Sequence, residues 1–268
     1  MPGWLKSCAI GCGVFTVVSI MLMIGCGVSF MRPFKDAVGV REELEAEYGT
    51  QEDYRPSIDG VIAPDRIEAF LGVREALRGE CEVIGEIFGY FEKMEEMDET
   101  SSGGEKVSMV LGAARHVFQM PRAIGGYAGV RNTALLEQGM GLGEYTFIYV
   151  LSYYSMLQKD VIAEDLKIND ENTSDRVRRT LREMLRHQLE DLRAAGSDPD
   201  FEITLRDEII RLDENDNALP WQNGLPPATL ASIEPFRTRI DTLWCAPASP
   251  FALSINRQGN KGFSITSD

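Results

Sequence analysis

Apolar residues recur at three- and four-residue steps along most of this chain, and no alternating strand-and-turn pattern appears, so the pattern predicts helices throughout. A helix start is signalled at Ala63, Pro64 and Asp65. The positions that follow, Ile67, Phe70, Leu71, Leu77, Cys81, Ile84, Phe88, Phe91 and Met94, predict one long amphipathic helix to about Asp98, followed by a flexible connector at 101–104. Val107 to Met120 reads as a second helix, stopped or kinked at Pro121, and a third runs from Arg122 or Tyr127 to Gln138. Gly125, Gly126, Tyr127, Ala128 and Gly129 read as a tight helix–helix turn in preference to an anion cradle, because no strand precedes them. Glu144 to Asp160 is the most apolar stretch of the body; its aromatic residues would also suit strands, but Tyr145, Tyr149 and Tyr153 repeat at four and predict a central helix. Asn172 or Thr173 opens a helix to Ala195, with Gly196 as its stop, and shorter helices follow at about Ile203–Asp213 and about Pro227–Leu243.

The N-terminal pattern is different. Ser7 to Met31 carries no charge, and as a helix those 25 residues would measure about 37 Å, enough to cross a hydrocarbon core about 30 Å thick. Three processing readings follow: an uncleaved anchor, favoured by the length of the run; a lipoprotein signal, since Leu22 to Cys26 resembles a lipobox with Cys26 the residue to be acylated; and a secretory signal cleaved after Gly27. Basic residues lie on both sides of the span, so the positive-inside count is nearly balanced. The six residues before it are those of a signal anchor, which places the body outside the cytoplasm.

Domain limits follow. Residues 1–35 form the anchor or signal segment, 36–60 an acidic juxtamembrane spacer, 61–245 a helical bundle and 246–268 a flexible tail rich in Ser, Asn, Gly and Pro. The fold class is all-α, a transmembrane helix followed by a multi-helix bundle.

Charge narrows the partners. The chain holds 27 Lys and Arg against 42 Asp and Glu; the anchor contains none of the acids, so the body is strongly acidic and a nucleic-acid binder is excluded. Of five cysteines only Cys81 and Cys245 lie in the body. They would pair if the body is extracytoplasmic, or stand as two buried thiols.

Candidate chemistry is sparse. Zincin, α/β-hydrolase, Walker A and dinucleotide-fold motifs are absent, and the sequence implies neither a metal nor a cofactor. Glu183, His187 and Glu190 share one helical face but read as solvated charge, as do the arginines between Arg176 and Arg193. Glu137 and Glu144 flank the glycine turn 139–143, with Arg115, Arg122 and Arg131 nearby to neutralise them. With Tyr145 and Tyr149 these acids mark the place where an enzyme or small-ligand site at the bundle centre would lie.

The run Gly139, Met140, Gly141, Leu142, Gly143, Glu144, Tyr145, continued by Tyr149, Tyr153 and Tyr154, resembles a group of uncharacterised bacterial single-pass membrane proteins with an all-helical extracytoplasmic domain. That resemblance implies location and fold, and no activity. The expectation is therefore a membrane-anchored interaction or structural module whose partner is an envelope protein or ligand, with an enzyme as the alternative.

Overall fold

The computed structural model describes residues 38–95, 103–161, 173–215 and 218–253. Every regular element among them is helical. The apolar run 7–31, Cys26 and residues 254–268 lie outside the described residues, and no helix among the described ones is long and apolar enough to cross a membrane.

Helix α1 covers residues 38–48, followed by a 3-10 turn at Gln51–Asp53. Then come α2 (Pro64–Ala76), α3 (Arg78–Glu95), α4 (Gly103–Glu137), α5 (Leu142–Tyr149) with a π-helical turn at Val150–Met156, and α6 (Thr173–Ala195). Helices α7 (Pro199–Glu214), α8 (Pro227–Ile233), α9 (Arg237–Thr242) and α10 (Ser249–Ala252) complete the order.

The centre of the core is α2 and the α5–π segment. Ile67, Phe70, Leu71 and Val73 are wholly buried, as are Tyr145, Ile148, Tyr149, Val150 and Tyr153. The expected single helix 64–98 turns at Leu77. Helix α2 is buried on most of its sides, whereas the start of α3 buries mainly the face of Ile84 and Ile87, so the buried surface changes character where the axis turns.

Three other departures have simple causes. Helix α4 runs through Pro121 and through the expected turn at 125–129 without a break. Burial of Ala123, Tyr127, Ala134 and Leu135 on its inner side offsets the one backbone hydrogen bond that proline removes. The expected spacer 36–60 is, from residue 38 onward, part of the domain: Leu44 is buried, and Gln51 Nε2 donates to Thr146 Oγ1 at 2.7 Å. Of the acids that suggested a spacer, Glu42, Glu43 and Glu47 are exposed on α1 and Glu52 and Asp53 on the 3-10 turn, while Gly143 lets that turn press in; a Cβ there would stand 2.6 Å from the Gln51 carbonyl oxygen. The expected tail likewise begins too early, since Ala248, Phe251, Ala252 and Leu253 are buried despite a loop-like composition.

Cys81 of α3 and Cys245 are joined in a disulfide, with Cα atoms 6.1 Å apart across 164 positions of sequence. It fastens the C-terminal segment against α3.

Candidate functional site

Among the described residues two polar places bear on function. The first is built on Arg74, whose side chain leaves α2 into the core and is 3% exposed. Its Nη1 donates to the hydroxyls of Tyr127 and Tyr145 at 3.0 and 3.1 Å, its Nε to Tyr153 at 3.3 Å, and its Nη2 to the Leu243 carbonyl at 2.9 Å. The guanidinium also lies over the rings of Tyr149 and Tyr153, 5.3 and 5.4 Å from their centroids. Tyr145 and Tyr149 stand in α5 and Tyr153 in the π turn that continues it.

No carboxylate pairs with Arg74 among the described residues. Desolvation works against its charge, but the surrounding phenol oxygens outweigh it and hold its pKa well above the ordinary value. Burial pushes the phenols of Tyr145, Tyr149 and Tyr153 upward, against the lowering pull of Arg74. These hydroxyls therefore stay protonated near neutral pH and offer neither a nucleophile nor a base.

Arg131, also buried, is expected to neutralise acids at the glycine turn; instead its Nη1 donates to the Phe251 and Ala252 carbonyls at 3.2 and 3.0 Å and its Nε to Asn132. Burial lowers its pKa. Both arginines thus take backbone carbonyls from the segment that the disulfide holds in place.

The second place is open. A cavity of about 300 Å³ lies where the loop 54–63, the first turn of α2, the α5–π segment, α6, α7 and the segment before α8 meet. Its apolar lining includes Val61, Ile62, Phe147, Leu151, Phe201 and Trp221; its polar lining includes Tyr54, Arg66, Glu144 and Gln188. Adjacent positions on α5 divide the two places, with Tyr145 turned to Arg74 and Glu144 to the cavity. Arg66 grips Glu144 with both Nε and Nη2, at 2.7 and 2.5 Å, and reaches the Gly139 carbonyl at 3.0 Å. The expected centre of Glu137, Glu144 and Tyr145 is therefore not brought together: Glu137 is exposed at the end of α4, Glu144 is held by Arg66, and Tyr145 belongs to the Arg74 array.

Gln188 is 2% exposed and donates through Nε2 to the Ser57 carbonyl at 2.5 Å, while its Oε1 has no partner among the described residues. Burial, and then the charge of Glu144, push the Tyr54 phenol upward, so it remains a hydrogen-bond donor. Trp221 has φ +58°, a left-handed backbone that costs a non-glycine residue about 1–3 kcal/mol. Its N–H donates to Glu208 Oε1 at 2.5 Å, and Glu208 is itself paired with Arg211. At the mouth, Gly60 has φ +70°, and a Cβ on it would lie 2.9 Å from the Phe201 ring. Thr229 Oγ1 closes the same corner by donating to the Gly60 carbonyl at 2.7 Å.

Elsewhere, Glu183 is paired with Arg186, and Arg182 and Arg186 both reach Asp213. No group of three metal-ligating side chains converges among the described residues.

Sequence reasoning passes over Arg74, Arg66, Gln188 and Trp221. Two left a signal, since Arg74 fills the gap in the stripe Ile67, Phe70, Leu71, Leu77, and Gln188 lies on the stripe Leu181, Met184, Leu185, Leu192. Arg66 and Trp221 left none. No protein-family model, curated protein or solved structure matches the chain.

Proposed function

We propose that this chain is a membrane-tethered binding module and that the cavity between the loop 54–63, α5, α6 and α7 is where it binds. The observation that carries the reading is the state of the cavity's polar groups. Its one lining carboxylate is tied bidentately to Arg66, which leaves no free acid or base for chemistry, while the buried Gln188 keeps an acceptor open. Val61 lines the cavity and is 40% exposed, and Ile58 and Leu230, next in sequence to the lining residues Ser57 and Thr229, are each 37% exposed.

The tether is the uncharged run 7–31, with the body on the extracytoplasmic side. A disulfide between Cys81 and Cys245 suits an oxidising compartment. A reporter fused after Asp268 tests this half of the reading: activity only outside the cytoplasm is expected, and a cytoplasmic signal overturns it.

The binding half is tested by a photo-crosslinking side chain at Val61, with Ile210 as the control. Ile210 is 45% exposed and lies about 2.5 turns beyond Phe201 on α7. Expected is a discrete adduct from position 61, lost in Leu230→Asp, and none from position 210. Equal adducts from both positions, or one indifferent to Leu230→Asp, would remove the cavity as the binding place.

A further inference from the structure

Resting on the reading of this cavity as a binding site, we infer that its occupant is a peptide segment of a partner protein that inserts one large aromatic or aliphatic side chain and carries Lys or Arg beside it. At about 300 Å³ the cavity is at the lower limit for a drug-sized ligand. It matches a single large side chain with its adjoining backbone. A ligand confined to it would leave Val61, 40% exposed, partly in water, whereas a chain crossing the mouth covers it. The depth supplies the anchor's surroundings, Phe147, Leu151 and Trp221, and an acceptor at Gln188 Oε1 for an N–H group of the incoming chain.

Charge selects the flanks. The bases that line the cavity are already matched, Arg66 by Glu144 and Arg55 by Asp191 at 2.7 Å. Asp59, Asp65 and Asp200 are exposed on the elements that form the mouth, on a chain with 42 acids against 27 bases. The field there is negative, so it draws in a cationic segment and repels both acidic peptides and anionic lipid.

The test uses the full chain in nanodiscs of zwitterionic lipid and a fluorescent peptide, Lys-Lys-Gly-Phe-Gly-Lys-Lys, followed by anisotropy. The Phe peptide is expected to bind at least about tenfold more tightly than its Ala counterpart. It should weaken as salt rises, and it should lose its affinity in Val61→Arg but not in Ile210→Arg, a matched charge change at another exposed apolar position.

The failures separate. If the peptide with Glu in place of Lys binds equally well and is still blocked by Val61→Arg, the cavity reading stands and the basic partner falls. If Phe and Ala peptides bind alike, or Val61→Arg has no effect, the anchor and the site both fall. No binding by any of these peptides overturns the partner class, and the adduct at position 61 then judges the site alone. Hydrogen exchange supplies the membrane arm: protection of 57–62 and 226–231 by the bilayer without peptide, beyond that in detergent, would make this face a lipid-docking surface and overturn the proposal.

Discussion

The Arg74 centre and the cavity share helix α5 at adjacent residues, yet they handle polarity in opposite ways. Around Arg74 every guanidinium nitrogen has an acceptor, three of them phenols, and the Tyr149 hydroxyl, which has no partner, is sealed in the core. In the cavity the charged pair is closed on itself, but Gln188 Oε1 and the Tyr54 hydroxyl remain open. The buried cation is the more conspicuous feature, with more hydrogen bonds and larger shifts in proton affinity. It is also the one that matters to folding, because a buried charge is tolerated only when each of its donors is met. Open capacity on the wall of a cavity, not buried charge, marks the place for a ligand.

The sharpest way to break this comparison is to remove the cation. Arg74→Ala leaves a void and strips three phenols and the Leu243 carbonyl of their donor, so a loss of about 3–5 kcal/mol is expected in urea unfolding. Arg74→Met keeps most of the volume and removes the charge, and should cost clearly less. Equal and small effects from both would mean that the tyrosine array does not depend on its cation.

The disulfide comes next. Leu243, Phe251 and Ala252 present their carbonyls to Arg74 and Arg131, and Cys245 lies between Leu243 and Phe251. Replacing both Cys81 and Cys245 with Ser is expected to cost about 2–5 kcal/mol, and the addition of a reductant to the parent chain should reproduce the loss. If the variant matches the oxidised parent, the C-terminal segment is held by the arginines alone.

Alkali probes the same centre from the side of the phenols. Tyr145, Tyr149 and Tyr153 have folded pKa values raised above the unfolded value of about 10, so the folded state keeps protons that the unfolded state gives up. Stability is full below about pH 10 and falls as pH rises through the range between the unfolded and folded values. In a spectrophotometric titration these tyrosinates should appear only together with the loss of helical circular dichroism. Reversible ionisation of all eight tyrosines before unfolding would show that the array is open to solvent.

How much of this was legible in the chain depends on the range of the interaction. The four-residue repeat of Tyr145, Tyr149 and Tyr153 marked the central helix, and the stripe from Val177 to Leu192 marked α6, because both are local periodicities that burial imposes. Pro121 and the glycines at 125–129 misled, since their local preference to break a helix is weaker than the burial on either side of them. The acidic run before residue 60 misled for a related reason: composition reports the outer face of α1, not Leu44 beneath it. Arg74 was the hardest to see. Its partners lie 53 to 169 positions away, and only its place within an apolar stripe distinguished it from a surface arginine.

The smallest expected effect separates the two places most cleanly. Glu144 and Arg66 are 14% and 29% exposed, a rim pair whose loss removes two charge-assisted hydrogen bonds that water can partly replace. Glu144→Gln should therefore lower stability by about 1 kcal/mol or less, and Arg66→Gln, which also gives up the hydrogen bond to the Gly139 carbonyl, only slightly more. Their effects on the cavity should diverge. Glu144→Gln leaves an unmatched guanidinium, which repels a cationic peptide, whereas Arg66→Gln leaves an unmatched carboxylate, which attracts it. Two substitutions alike in unfolding and opposite in peptide affinity are what a binding surface gives. A large and equal loss of stability would instead place this pair with Arg74, as part of what holds the fold.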